Sequence, residues 1–182
     1  MIETKYAPDE IRSLHARITA LEAEADIRRV VSRYMLLCDK PAADEAAGRP
    51  FADLFTNDVI WEGVGERYAR WFGRHEGIDN VLAFFKAFRG RERRFVLNVH
   101  YLGNEHLAVG GESAEGWWLL YEPVTDTAGT SSAMGARLHL SFRRESPAWR
   151  ISHFRTENLF IADQPQGWND DTTRRPRAKE AQ

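Results

Sequence analysis

Two titratable residues stand where local structure disfavours them. In the stretch SRYMLLCDKP, Asp39 closes an apolar-periodic segment that reads as a helix. A helix C-terminus carries partial negative charge, so an acid there costs about 0.3–1 kcal/mol. In RFVLNVHYL, the period of two puts Phe95, Leu97, Val99 and Tyr101 on one strand face. Val96, Asn98, His100 and Leu102 fall on the other. Both faces are largely apolar, which predicts a central strand covered on both sides. Burial favours the neutral imidazole, and a neutral histidine near working pH is a usable general base. The plainer reading is a core histidine satisfied by one backbone carbonyl, and periodicity alone leaves both open. Glu122 and Arg155, near the ends of inner strands, are further candidates, because a buried charge needs a partner or a substrate.

Other chemistries find less support. The sequence has no G-x-S-x-G, no P-loop, no G-x-G-x-x-G after a strand and no H-E-x-x-H. His100 and His106 are separated by a turn signal with no clustered carboxylate, so neither a metal nor a cofactor is expected. His15, His75, His139 and His153 read as structural or exposed.

The elements that must position these residues follow from the pattern. Ile11, Leu14, Ile18 and Leu21 recur at spacings of three and four, the narrow stripe of a helix that packs on a partner subunit or on its own domain. A second stripe runs through Ile27, Val30, Val31, Tyr34 and Cys38, and Pro41 stops it. Tyr34 and Asp39 are then about 140° apart around an ideal helix, so a loosened last turn is expected if both face inward. RPFADLFTNDVIWEGVG reads as a short helix, an Asn57–Asp58 turn and a strand. A loop is expected after Gly73. GIDNVLAFFKAFRG is an amphipathic helix with Ile78, Val81, Leu82, Phe85 and Phe88 on its apolar side and Gly90 as its stop. From Arg94 onward come strands separated at Gly103–Asn104, Gly110–Gly111, Thr125 to Gly129 and Glu145 to Pro147. Helices followed by a strand meander predict an α+β domain with helices over one face of a curved, mostly antiparallel sheet. The expected division is a helical extension over 1–21, the domain over 22–162, and a mobile tail over 163–182.

Composition sets the outer bounds. The 182 residues suit one domain, and a net charge of −2 offers no general basic field for nucleic acid or an anionic membrane. The basic cluster at Arg174, Arg175, Arg177 and Lys179 reads as a solvated terminus. A lone cysteine, Cys38, excludes an internal disulfide, and with no signal peptide or spanning stretch evident a cytoplasmic location is expected.

The segments ADIRRVVSRYMLLCDK, FADLFTNDVIWEGVG, EGIDNVLAFF, NVHYLGNEHLAVGGESAEGWWLLYEP and WRISHFRTENLF occur in an order that resembles the SnoaL-like domains of the nuclear-transport-factor-2-like superfamily. The likeness is greatest to the group of scytalone dehydratase, bile-acid 7α-dehydratase and lindane dehydrochlorinase. It implies a cone-shaped α+β barrel over about residues 22–161. It also implies an Asp–His dyad, with the aspartate motif falling on CDK at Asp39 and the histidine motif on HYLGN at His100. The dehydratases' tyrosine falls on Tyr34, and a last-strand arginine matches Arg155 after a shift of one residue. The dehydrochlorinase's lysine has no counterpart, which argues against dehydrohalogenation.

The expectation is therefore a cofactor-independent lyase or isomerase acting on a small, apolar, cyclic molecule. His100 would remove a proton from carbon, oriented by Asp39; Tyr34 would hydrogen-bond the leaving or enolising oxygen, and Arg155 would stabilise an anion. Trp61, Phe85, Asn98, Trp118 and Glu122 are the expected pocket residues. A homo-oligomer, trimer or dimer, is implied. The alternative is an inert ligand-binding or scaffolding subunit, like the small subunits of ring-hydroxylating dioxygenases, with a filled cone and no Asp39–His100 contact.

Overall fold

The computed structural model describes residues 7–40, 50–92, 95–165 and 167–168, with side chains of 88–92 excluded. Helix α1 runs unbroken over Pro8–Asp39. Proline is suited to its first turn, and Glu10 caps the start by accepting the Ala7 N–H at 2.8 Å. At 1.5 Å per residue its 32 residues span about 48 Å. The C-terminal half is anchored by Ala23, Ile27, Val31, Tyr34 and Leu37. In the first half of the helix the stripe residues Leu14, Ile18 and Leu21 have no such cover among the described residues and are exposed.

A 3-10 turn over Phe51–Leu54 leads into β1 (Phe55–Val64), followed by α2 (Gly65–Trp71), β2 (Arg74–Glu76) and α3 (Ile78–Glu92). The expected Asn57–Asp58 turn lies inside β1. The pairing of β1 with β7 shifts register between Phe55 and Ile60, so a strand irregularity absorbs the polar pair. The segment after Gly73 is the short strand β2 rather than a loop, and α3 continues past Gly90 to Glu92. Phe88 lies outside the described side chains. Within α3, Val81 and Phe85 are buried.

The remaining strands are β3 (Phe95–Asn98), β4 (Tyr101–Gly110), β5 (Ser113–Asp126), β6 (Ser131–Glu145) and β7 (Ala148–Asp163). The sheet order is β2-β1-β7-β6-β5-β3, with β4 also paired to β5. The β1–β7 pair is parallel and the others antiparallel. Among the described residues, three α-helices thus pack on a mixed, mostly antiparallel, curved sheet of seven strands that does not close.

Two expectations about the His100 strand change here. It is the sheet edge rather than the centre, because β3 and β4 follow one another along the outer side of β5; Val96 is 70% exposed. The Gly103–Asn104 pair does not end a strand either. It forms an irregularity inside β4, where Asn104 takes φ 53° and the register with β5 shifts before His106. Asparagine tolerates that left-handed backbone, which explains why a turn-like pair sits in mid-strand. Beyond Asp163 the chain stays tied as far as Trp168, whose indole N–H donates to the Val124 carbonyl at 3.1 Å. The basic cluster at 174–179 lies outside the described residues.

Candidate active site

Asp39 is the last helical residue of α1, and His100 sits in the gap between β3 and β4. The ring Nδ1 lies 2.6 Å from Asp39 Oδ1, and the His100 backbone N–H donates to the same oxygen at 3.2 Å. An ionised carboxylate can only accept, so Nδ1 carries the proton toward Asp39 and the lone pair falls on Nε2. The gap in the edge strand makes this possible. Past the end of β3 at Asn98, the Val99 N–H still reaches the Pro123 carbonyl of β5 at 3.4 Å, but that of His100 is taken up by the helix end.

Nε2 faces the interior, 3.5 Å from Glu122 Oε1. The side chains of Asp39, His100 and Glu122 are 20%, 14% and 12% exposed. The register explains Glu122: Asn98 pairs with Val124 and Tyr101 with Tyr121, so residue 122 of β5 lies beside the gap. Burial, followed by the attraction of His100 and then the repulsion of Asp39, leaves the Glu122 carboxyl raised above its ordinary value of 4.5.

Beside this group lies a cavity of about 120 Å³ with predominantly aromatic walls. Tyr34, Trp61, Phe72, Phe84, Phe85 and Phe154 are among its lining residues. Tyr34 stacks on Phe154 with centroids 4.7 Å apart, Phe154 stacks on Trp61 at 5.5 Å, and the Tyr34 hydroxyl accepts the Trp61 indole N–H at 3.0 Å. Asn98, His100 and Glu122 supply polar groups to the same cavity. The volume is of the order of cavities that take up a single benzene ring, about 150 Å³.

The sequence-expected residues separate into three groups. Tyr34, Trp61, Phe85, Asn98, His100 and Glu122 line the cavity, while Asp39 contacts His100 from the side away from it. This resolves the helix geometry without loosening: the last turn closes normally, with Lys40 N–H donating to Leu36 O at 2.7 Å. Asp39 need not face the cavity to orient a ring that does. Trp118 is buried on the inner sheet face but packs against Phe142, and its indole N–H goes to Glu105 at 3.2 Å rather than lining the cavity.

Arg155 is turned away. Phe154 and Thr156 line the cavity, so strand alternation puts Arg155 on the outer sheet face. There its guanidinium donates to Glu62 at 2.8 Å, and Glu62 also receives Arg74 at 2.7 Å and contacts His153 at 2.9 Å. Burial would raise the Glu62 carboxyl, but these partners outweigh it and hold it at about 2. Several cavity residues were not expected as site residues, including Met35, Cys38, Tyr68 and Met134. Tyr68 enters through α2, which the Glu66–Arg70 spacing of four could have indicated. Among the described residues, no group of three or more His, Cys, Asp or Glu side chains could hold a metal ion.

The SnoaL-like domain model matches residues 19–155. The chain belongs to the SnoaL-like family. Its fold neighbours include a hexachlorocyclohexane dehydrochlorinase, LinA type 2, at TM-score 0.66 and 18% identity, covering 81% of this chain and 93% of that one. An NTF2-like protein from Novosphingobium aromaticivorans aligns at TM-score 0.64 and 22% identity, covering 84% and 92%. A scytalone-dehydratase-like protein from the same organism aligns at TM-score 0.65 and 15% identity, covering 81% and 91%. At these identities the likeness of the SnoaL-like chain to its neighbours concerns the fold. No curated protein matches the sequence. Among the described residues, no helix is long and apolar enough to cross a membrane.

Proposed function

We propose that this SnoaL-like protein is a cofactor-independent lyase of the dehydratase kind, or an isomerase, that removes a proton from carbon in a small cyclic molecule. The observation that carries this reading is the 2.6 Å contact between Asp39 and His100 on the wall of an aromatic cavity. Asp39 fixes the tautomer and stabilises the imidazolium that forms, while His100 Nε2 accepts the proton from a carbon next to an activating group. Tyr34, already accepting the Trp61 N–H, turns its own hydroxyl to a substrate oxygen. The dominance of ring faces over polar groups suits a flat apolar body, and the volume suits a single ring. An inert scaffolding subunit would fill this space with side chains, and the open cavity speaks against it.

The chain is further proposed to act as a homo-oligomer in the cytoplasm. The exposed Leu14, Ile18 and Leu21 on α1 support association of copies, and the single thiol of Cys38 suits a reducing compartment. The test of the dyad is deuterium uptake at the acidic C–H positions of cyclohexanone in D2O, followed by NMR. The wild-type protein is expected to accelerate exchange, and His100→Ala to lose about 10²–10⁴-fold of that rate with its fold intact by circular dichroism. Exchange at the wild-type rate in His100→Ala would sink the assignment.

A further inference from the structure

Glu122 is used by nothing in the dyad, yet it reaches the same end of the cavity as the base. Its Oε1 stands 3.5 Å from His100 Nε2, longer than a formed N–H···O hydrogen bond, and both residues line the cavity. Asn98, two residues before His100, completes the cluster; its buried Oδ1 accepts no hydrogen bond among the described residues. A buried acceptor left unpaired is unusual, and a ligand hydroxyl is the group that would satisfy it.

We propose that Glu122 is the general acid of this site and that Asn98 and Glu122 together receive a ring hydroxyl, which departs as water. The inference rests on the dyad reading of His100 and narrows it to dehydration of a hydroxylated ring.

Two enclosed glutamates among the described residues make the case by contrast. Glu62 is enclosed by Arg74, Arg155 and His153, and stays ionised. Glu122 has no Lys or Arg among its partners in the described residues. The titratable groups around it are His100, Asp39 behind that ring, and the buried Tyr68 hydroxyl brought in by α2. Enclosure without a fixed cation favours the neutral carboxyl, which can donate a proton where an ionised one cannot.

The step balances within these groups. His100 Nε2 takes a proton from the carbon next to an activating carbonyl, and that electron pair forms the new carbon–carbon double bond. The carbon–oxygen bond breaks, the Glu122 proton goes to the departing oxygen, and water is released. Imidazolium and carboxylate are left 3.5 Å apart. Return of the proton from Nε2 to Oε1 restores both groups, so no external acid, oxidant or cofactor enters.

The experiment has two arms. The first follows the side-chain carboxyl by infrared spectroscopy in wild type and Glu122→Gln. A protonated carboxyl band at neutral pH that disappears in Glu122→Gln is expected; its absence from the wild type overturns the proposal without any need for turnover. The second compares conversion of 3-hydroxycyclohexanone to cyclohexenone with the deuterium exchange of cyclohexanone. Glu122→Gln keeps the shape but cannot give up a proton, so the ratio of dehydration to exchange should fall about 10²–10⁴-fold. Loss of both reactions in His100→Ala, with that fall in the ratio in Glu122→Gln, supports the acid role. Dehydration by Glu122→Gln at the wild-type rate overturns the acid while the dyad stands. Wild-type exchange in His100→Ala overturns the dyad itself. Should the wild type turn over neither compound, the infrared arm decides.

Discussion

Replacing Glu62 by Gln removes the charge at the centre of the outer-face cluster while keeping its shape. The carboxyl sits at about 2 against an ordinary value of 4.5. The gap of roughly 2.5 units, at about 1.36 kcal/mol each, corresponds to about 3 kcal/mol of stability near neutral pH. Arg74 and Arg155 are themselves 45% and 47% exposed, so solvent screening trims the expected loss to about 2–3 kcal/mol. The sign follows from a depressed acid: the contribution is present above the unfolded value near 4.5 and is lost as pH falls toward 2. Urea unfolding followed by tryptophan fluorescence, at pH 7, 5, 4 and 3, measures it. Wild type should exceed Glu62→Gln by about 2–3 kcal/mol at pH 7, with the difference closing steadily below pH 5. Taking the difference between the two proteins cancels the other carboxylates. A difference that stays constant from pH 7 to 3, or one below about 0.5 kcal/mol at pH 7, would refute the assignment of Glu62 as the clamped anion.

Three further substitutions test the site. Asp39→Asn should lower cyclohexanone exchange by about 10²–10⁴-fold at nearly unchanged thermal stability, because an amide can favour the wrong imidazole tautomer. Asp39→Ala should add a loss of about 1–3 kcal/mol in urea unfolding, since it leaves the His100 amide without its acceptor. Gly63→Ala should destabilise the domain and loosen the cavity wall: its Cβ would stand 2.4 Å from the Tyr68 carbonyl oxygen, so α2 must move, and Tyr68 with it. An unchanged melting temperature in Gly63→Ala would show that α2 is not held as closely as described.

Much of the architecture was legible because it depends on patterns that are local. Helical spacing through Ile27, Val31 and Tyr34, and alternation through β5 to β7, report burial on one face. Alternation also put Asn98 and His100 on one face, and both line the cavity. What stayed hidden depends on pairing between distant strands. The gap after β3 and the irregularity at Asn104 are responses to the register with β5, and nothing within RFVLNVHYLGNEHLAV specifies that register. The nearness of Asp39 to His100, 61 positions apart, came from family resemblance and not from spacing. Arg155 was misplaced for the opposite reason. The period of two around Phe154 and Thr156 turns it outward, and a family position shifted by one residue crosses to the other face.

The two bonds from His100 to Asp39 have a consequence for altering this protein. One carboxylate both orients the imidazole and closes the hydrogen-bonding account of the edge strand, where the gap leaves an amide without a sheet partner. Position 39 therefore cannot be explored freely when the cavity is altered, because most replacements forfeit the seam between helix and sheet along with the orientation of the His100 ring. Phe72, Phe84 and Phe85 lie on the aromatic wall away from that seam, so ring-for-ring exchanges there can reshape the space while the seam stays shut, and the shape of the cavity is more open to change than the junction beside it.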